Sequence, residues 1–222
     1  MMNIGIIGGT GGMGKGFAIR WCKNHNILIG SRDSNRASDA AKEYKNISES
    51  YSDINGSVIG YDNITVAKKS DVLILSIPYD NIDKICSQIL PMISNECVVV
   101  SPIVPMEKTK IGFEFIPTKY GKPSSFDIVK KYMKNNKLIS AFHVISEKKL
   151  ADPKKILNYD VFVCGDDEES INIVNKLILQ IKDLRPLYLG SGKLSYMAEI
   201  STPLLLNIMI RNKLKNPGIK IC

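Results

Sequence analysis

Short apolar runs alternate along the chain with mixed apolar and polar stretches of helix length. NIGIIG, from Asn3, reads as a buried strand. GMGKGFAIRWCKN reads as the helix behind it and NILIGS as a second strand, with GSVIG, DVLILSI, CVVVS, KLISAF and DVFVCG as further strands. These runs are β-branched and nearly continuous rather than alternating, the pattern of strands covered on both faces. Behind DVFVCG, Ile171, Val174, Ile178 and Ile181 recur at helical spacing, and the acids of GDDEES fall in that helix's first turn, where the dipole favours them. We read Asp166-Asp167 as its capping residues. A βαβα series of this kind predicts an α/β protein with a mostly parallel sheet.

The pattern changes at LRPLYLGSGK, punctuated by Pro186, Gly190 and Gly192. Beyond it, Met197, Ile200, Leu204, Leu205, Ile208 and Met209 give a broad apolar helix face, and Pro203 is expected to kink that helix or to start its second half. The division that follows is a dinucleotide-binding domain over 1–182 and a small C-terminal helical segment over 183–222.

The chemistry concentrates in Gly9-Thr-Gly11-Gly-Met-Gly14, a GxGxxG between an apolar strand and a helix. Gly9 permits the tight turn, Gly11 lets the backbone approach a pyrophosphate, and Gly14 lets helix and strand pack closely, which identifies a Rossmann-type, doubly wound fold. Free N–H groups at the helix start would face the pyrophosphate. The same letters nearly complete a triphosphate loop, but Gly16 stands where a Ser or Thr must hold Mg²⁺. At the end of the second strand the chain reads Gly30-Ser31-Arg32, with Arg36 one turn on, where an NAD site has an acid. A guanidinium grips a 2′-phosphate and a carboxylate repels it, so NADP is the expected dinucleotide.

Composition narrows the partners. Among 222 residues 44% are hydrophobic, enough for a large core, and no apolar run reaches the ~18 residues that span a bilayer. No signal-peptide pattern opens the chain. Five cysteines without a CxxC pair and two distant histidines suggest reduced thiols in a cytoplasmic protein and no metal site. The net charge of +8 suits a polyanionic cofactor, and the lysines are too dispersed, with too few aromatics among them, to suggest nucleic acid.

Taken in order, GGTGGMGKG, GSR, DVLILSIPY, VVVSPIVP, SAFHVI, VCGDDEES, LRPL, STPLLLNIM and GIKI resemble the NADPH-dependent reductases of the deazaflavin coenzyme F420. The resemblance implies a cleft in which deazaflavin and nicotinamide lie face to face, reversible hydride transfer between F420 and NADP, and a homodimer. It places the 2′-phosphate on Thr10, Ser31, Arg32 and Arg36, and the loop contacts on Gly11, Gly12 and Met13. Ile77, Pro78 and Val104 fall near the nicotinamide, His143 matches the histidine of the family's SALHTIP-like segment, and Asn81 and Pro217 carry over as well. His143 reads either as a polar handle on the deazaflavin's hydroxyl or carbonyl edge or as a strand-end histidine bonded to backbone. The chain departs from the family at His-Val-Ile-Ser-Glu147, which lacks a following proline and carries a charge where a small residue is usual. Two other readings stay open: an NADP-dependent dehydrogenase or imine reductase of a small metabolite, as in pyrroline-carboxylate reductases, and a non-catalytic NADP sensor. No acid–base pair stands out, and hydride transfer between two cofactors requires none.

Overall fold

The computed structural model describes residues 1–222, the side chains of 118 and 119 excepted. The glycine loop joins β1 (Asn3–Ile7) to α1 (Gly12–Trp21), followed by β2 (Asn26–Ser31), α2 (Ser34–Glu49), β3 (Val58–Asp62), α3 (Asn63–Lys69) and β4 (Val72–Leu75). Then come α4 (Ile82–Ile89), β5 (Val98–Ser101), a hairpin of β6 (Met106–Thr109) and β7 (Gly112–Phe115), the short helices α5 (Ile116–Tyr120) and α6 (Ser125–Lys130), and β8 (Leu138–Ser140). The chain ends with α7 (Glu147–Leu150), β9 (Tyr159–Gly165), α8 (Glu168–Leu179), β10 (Leu184–Gly190), α9 (Ser195–Arg211) and a tail.

One sheet carries eight strands in the order β10-β9-β8-β5-β4-β1-β2-β3. From β3 to β8 all pairings are parallel, and the order is that of the doubly wound dinucleotide fold. β9 runs antiparallel to β8, and β10 is parallel to β9. Alternation within the apolar strands splits the core. Ile4, Ile6, Ile27, Ile29, Ile74 and Val100 face one helical layer, while Ile7, Leu28, Leu73, Leu75 and Val99 face the other. In the first layer Phe17 stacks on Trp21 at 4.6 Å, and Phe142 meets both rings edge-on. Burying each of these large rings is worth about 1.5–3 kcal/mol.

Two stretches given no strand by pattern are strands. The punctuated stretch at LRPLYLGSGK is one: β10 pairs with β9 from Leu184 to Gly190. Pro186 fits because β10 is the edge strand and the missing N–H need find no partner. The VPMEKTKIGFEFIP stretch, given no strand by pattern, forms the β6–β7 hairpin through Met106↔Phe115 and Thr109↔Gly112. Helix α9 runs through Pro203, whose missing N–H leaves the Glu199 carbonyl without its helical partner.

Candidate functional site

In the doubly wound order the chain reverses its direction of travel between β1 and β4, and ligands bind at the C-terminal strand ends beside that switch point. The loop leaving β1 opens with Gly8 at φ +72°, a left-handed residue the motif did not flag, held against the Ser76 carbonyl. The Gly9 N–H then donates to the Gly30 carbonyl at 3.1 Å, pinning the turn to β2. A Cβ on Gly14 would stand 2.5 Å from the Gly9 carbonyl oxygen, so only glycine lets α1 sit this close to the loop. A Cβ on Gly11 would meet nothing nearer than 3.5 Å, so that side of the turn is open to a ligand. Met13 is half-buried beneath the helix start, and Thr10 lies at the tip of the turn.

The first N–H groups of α2, α3, α6, α7 and α8 are taken by Asp33, Asp62, Ser124, Ser146 and Asp167. α1, behind its N-cap Gly11, has no side-chain cap, as α4, α5 and α9 also lack one, so its first N–H groups have no side-chain acceptor. At the end of β2, Arg32 and Arg36 are exposed, and among the described residues neither forms an ion pair or side-chain hydrogen bond. The nearby acid, Asp33, is committed to α2: its Oδ1 accepts from the Asn35 and Arg36 N–H groups at 2.9 and 3.3 Å. The donor set therefore fits a dinucleotide with a phosphate on its ribose: an uncapped helix end, an open glycine turn and two free guanidinium groups.

Across the switch point, Ile77 and Pro78 leave β4, and Val104 follows β5 within the Pro102–Pro105 turn. Ile77 is buried, Val104 half-buried and Pro78 exposed, giving an apolar wall at the strand ends. The Tyr79 hydroxyl donates to the Pro123 carbonyl at 3.2 Å, tying this turn to the segment before α6. Asn81 is exposed and caps nothing; its N–H closes a turn onto the Pro78 carbonyl.

His143 lies just past β8, 6% exposed, with Nε2 3.2 Å from the Ser140 hydroxyl. Burial pushes its pKa down to about 3, so the ring is neutral and serves as a fixed polar group rather than a proton carrier. Phe142, the residue before it, has φ +70°, a genuine strain for a bulky side chain, and it is locked there by Phe17 and Trp21.

Glu147 has an unexpected place. Helix α7 lies on a groove of α1 made by Gly12 and Gly16, where a Cβ on Gly16 would strike Leu150. Arg20, one turn on, donates to the Leu150 and Asp152 carbonyls at 3.0 and 2.8 Å and fixes α7 there. The Glu147 carboxylate consequently rests against Gly12, the first residue of α1. Pro217 belongs to the same rim: Asn216 beside it accepts from the Ser146 hydroxyl at 3.1 Å and, through its carbonyl, from the Tyr159 hydroxyl at 2.6 Å. Of the acid pair, Asp167 caps α8, whereas Asp166 holds the Ser191 hydroxyl and the Gly192 N–H.

The polar residues that pattern reading missed are Glu199 on α9 and Ser125 on α6, both fully buried, with Glu199 Oε1 2.6 Å from Ser125 Oγ. Glu199 sits within an apolar helical stripe, and only its burial singles it out. A groove of about 460 Å³ lies elsewhere, between α9 and the β6–β7 hairpin, lined by Phe113, Phe115, Ile200, Leu204 and Asn207.

This arrangement defines a nicotinamide-dinucleotide oxidoreductase of the doubly wound class. The chain belongs to the coenzyme F420-dependent NADP oxidoreductase family, whose model matches residues 3–105. The F420-dependent NADP reductase of Methanocaldococcus jannaschii is 37% identical over 99% of this chain and 98% of its own length. A crystal structure of a candidate F420-dependent NADP reductase from Arthrobacter sp. FB24 shares the whole fold, with a TM-score of 0.79 at 17% identity and full coverage of both chains. A pyrroline-5-carboxylate reductase from Coxiella burnetii shares the fold more loosely, with a TM-score of 0.57 at 13% identity over 97% of this chain and 73% of that one.

Proposed function

We propose that this chain catalyses reversible hydride transfer between reduced coenzyme F420 and NADP⁺, with the dinucleotide laid across the C-terminal ends of β2, β1 and β4. The observation that carries the reading is the uncapped, open glycine turn beside two unneutralised guanidinium groups, in a chain of this family. Gly12, Met13 and Gly14 receive the pyrophosphate through backbone N–H groups, while Gly9 and Gly11, whose N–H groups are held by the Gly30 and Gly8 carbonyls, shape the turn that lets it approach. Thr10, Ser31, Arg32 and Arg36 surround the 2′-phosphate. Ile77, Pro78 and Val104 bound the nicotinamide side, and His143 offers a neutral hydrogen-bonding edge to the deazaflavin. Asn81, Glu147 and Pro217 form the rim.

When both are bound, the cofactors supply the redox chemistry, a hydride exchanged between ring carbons. The protein's share is alignment and the exclusion of water, which needs no acid–base pair. Residues 1–182 carry the dinucleotide, and the segment over 183–222 closes the cleft through α9 and the tail. The exposed apolar stripe of α9 seats a second copy of the chain in a homodimer. The protein works in the cytoplasm, consistent with five free cysteines, and among the described residues no helix is long and apolar enough to cross a membrane.

The test is to mix the purified protein with NADPH and oxidised F420 and follow the visible absorbance of the deazaflavin. Bleaching that is fast with NADPH and slow with NADH is expected. NADPH binding without bleaching would transfer the reading to a small-metabolite reductase or to a sensor.

A further inference from the structure

The apolar wall after β5 is not held by β5 alone. The Ile103 carbonyl receives a hydrogen bond from Ser125 Oγ at 2.8 Å, and that Ser125 Oγ lies 2.6 Å from Glu199 Oε1. The carboxyl also accepts from the Ser125 N–H at 3.3 Å and the Phe126 N–H at 3.2 Å, the opening turn of α6. Glu199, Ser125 and Ile103 are all fully or nearly fully buried. Three elements thus meet at one side chain: α9, α6 and the turn that carries Val104.

Ser125 has one hydroxyl proton and two acceptors within reach. With Glu199 ionised, the charge takes that proton, as charge-assisted bonds outcompete neutral ones, and the Ile103 carbonyl loses its partner. With Glu199 protonated, the acid donates to Ser125 Oγ, and the hydroxyl turns to Ile103. The chain Glu199–OH to Ser125–OH to Ile103 C=O then ties the wall to α6 and α9. We propose that Glu199 is a positioning residue for hydride transfer: acting through Ser125, it sets the place of the Ile103–Val104 wall, and its proton decides whether the wall is tied. This rests on the assignment of Val104 to the nicotinamide side.

Burial pushes the pKa of Glu199 up to about 7, and Asp127 on α6 pushes the same way against the three hydrogen bonds. The other titratable groups that feel its charge are Tyr79 after β4 and Cys164 on β9, each raised first by burial and then by that charge. Glu114 of β7 lines the outer groove beside Ile200 and Leu204. The clamp therefore changes state in the neutral range, where the tied form is lost as pH rises.

The test compares the single-turnover rate of F420 reduction by NADPH, from about pH 6 to about pH 8.5, in the wild type and two variants. The wild type is expected to slow several-fold as pH rises through about 7. Glu199→Gln keeps an amide donor toward Ser125 at every pH, so its rate stays at the wild-type low-pH level. Ser125→Ala breaks the relay at every pH, so its rate stays at the high-pH level, with NADPH affinity unchanged in both. Two variants flattening the same limb in opposite directions is not what loss of packing produces. Melting curves show whether each variant is folded, and failure of one leaves the other decisive. Parallel pH profiles in all three proteins would overturn the clamp. Val104→Ala separates the two levels of the account: if it leaves the rate unchanged, the wall assignment fails, and if it slows the rate while the profiles stay parallel, only the clamp fails.

Discussion

Arg32 stands on the exposed rim at the end of β2 with no carboxylate to neutralise it, since Asp33 is spent on capping α2. Arg32→Ala should raise the KM for NADP about tenfold or more, from loss of ~1.5–3 kcal/mol of charged hydrogen bonding, and leave NAD turnover unchanged. Initial-rate measurements with each dinucleotide check this. Glu147 acts in the opposite sense. Its carboxylate rests on Gly12, at the helix end where a pyrophosphate would lie, and two anions there repel. Glu147→Gln should tighten NADPH binding about two- to fivefold, read by NADPH fluorescence titration. At this scale the legible residues were those whose reason is local. Gly14 was read from its spacing because the backbone it must approach, that of Gly9, lies only five residues back in the chain. Gly8 was missed because its partner, Ser76, lies a strand away, and Glu199 was missed because nothing in an apolar stripe tells a buried acid from an exposed one.

Among the elements, β10 and the tail depend on a single acid. Asp160, fully buried on β9, receives two guanidinium bonds from Arg185 of β10 at 2.8 Å, the Ile221 N–H at 2.7 Å and the Lys220 ammonium at 3.3 Å. Arg185 foremost holds the Asp160 carboxyl well below the usual carboxylate range. A depressed pKa stabilises the fold above the unfolded value, about 3.9, and the contribution is lost as pH falls through the lower folded value. Asp160→Asn should therefore lower the melting temperature near neutrality and shrink the difference between neutral and acid melting temperatures, as calorimetry would record. The inner parallel strands β1, β2, β4, β5 and β8 were legible because each is apolar on both faces. β10 was not, since Arg185, Pro186 and Gly190 disguise an edge strand whose partner is β9. The β6–β7 hairpin was hidden too: Met106–Thr109 is mostly polar, and it is its partner β7 that leans on α9, through Asn207 Oδ1, which accepts from the Phe113 N–H at 2.8 Å. Phe142 is a third case, a left-handed aromatic that local preference forbids and the Phe17–Trp21 stack imposes.

For the whole molecule, the two faces of α9 do different work. Ala198, Glu199 and Ser201 turn inward, while Met197, Ile200, Leu204 and Ile208 are exposed in a stripe beside the hairpin. An apolar surface of this kind suits the homodimer proposed above. Changing Leu204 and Ile208 together to Glu should convert that proposed dimer to a folded monomer, with the mass halved in sedimentation equilibrium and the circular dichroism spectrum retained. How the cofactors meet was legible in the sequence only through the likeness of its motifs to a family, because an aligning cleft has no signature beyond apolar strand ends. The central claim is direct transfer within that cleft, and the most direct measurement follows the transferred hydrogen itself. NADPH carrying deuterium at the transferable C4 position is incubated with oxidised F420 and the protein, and the products are analysed by mass spectrometry. The account predicts one deuterium per reduced deazaflavin, bound to carbon, and none in the water. Label appearing in the solvent, or an unlabelled reduced deazaflavin, would contradict it.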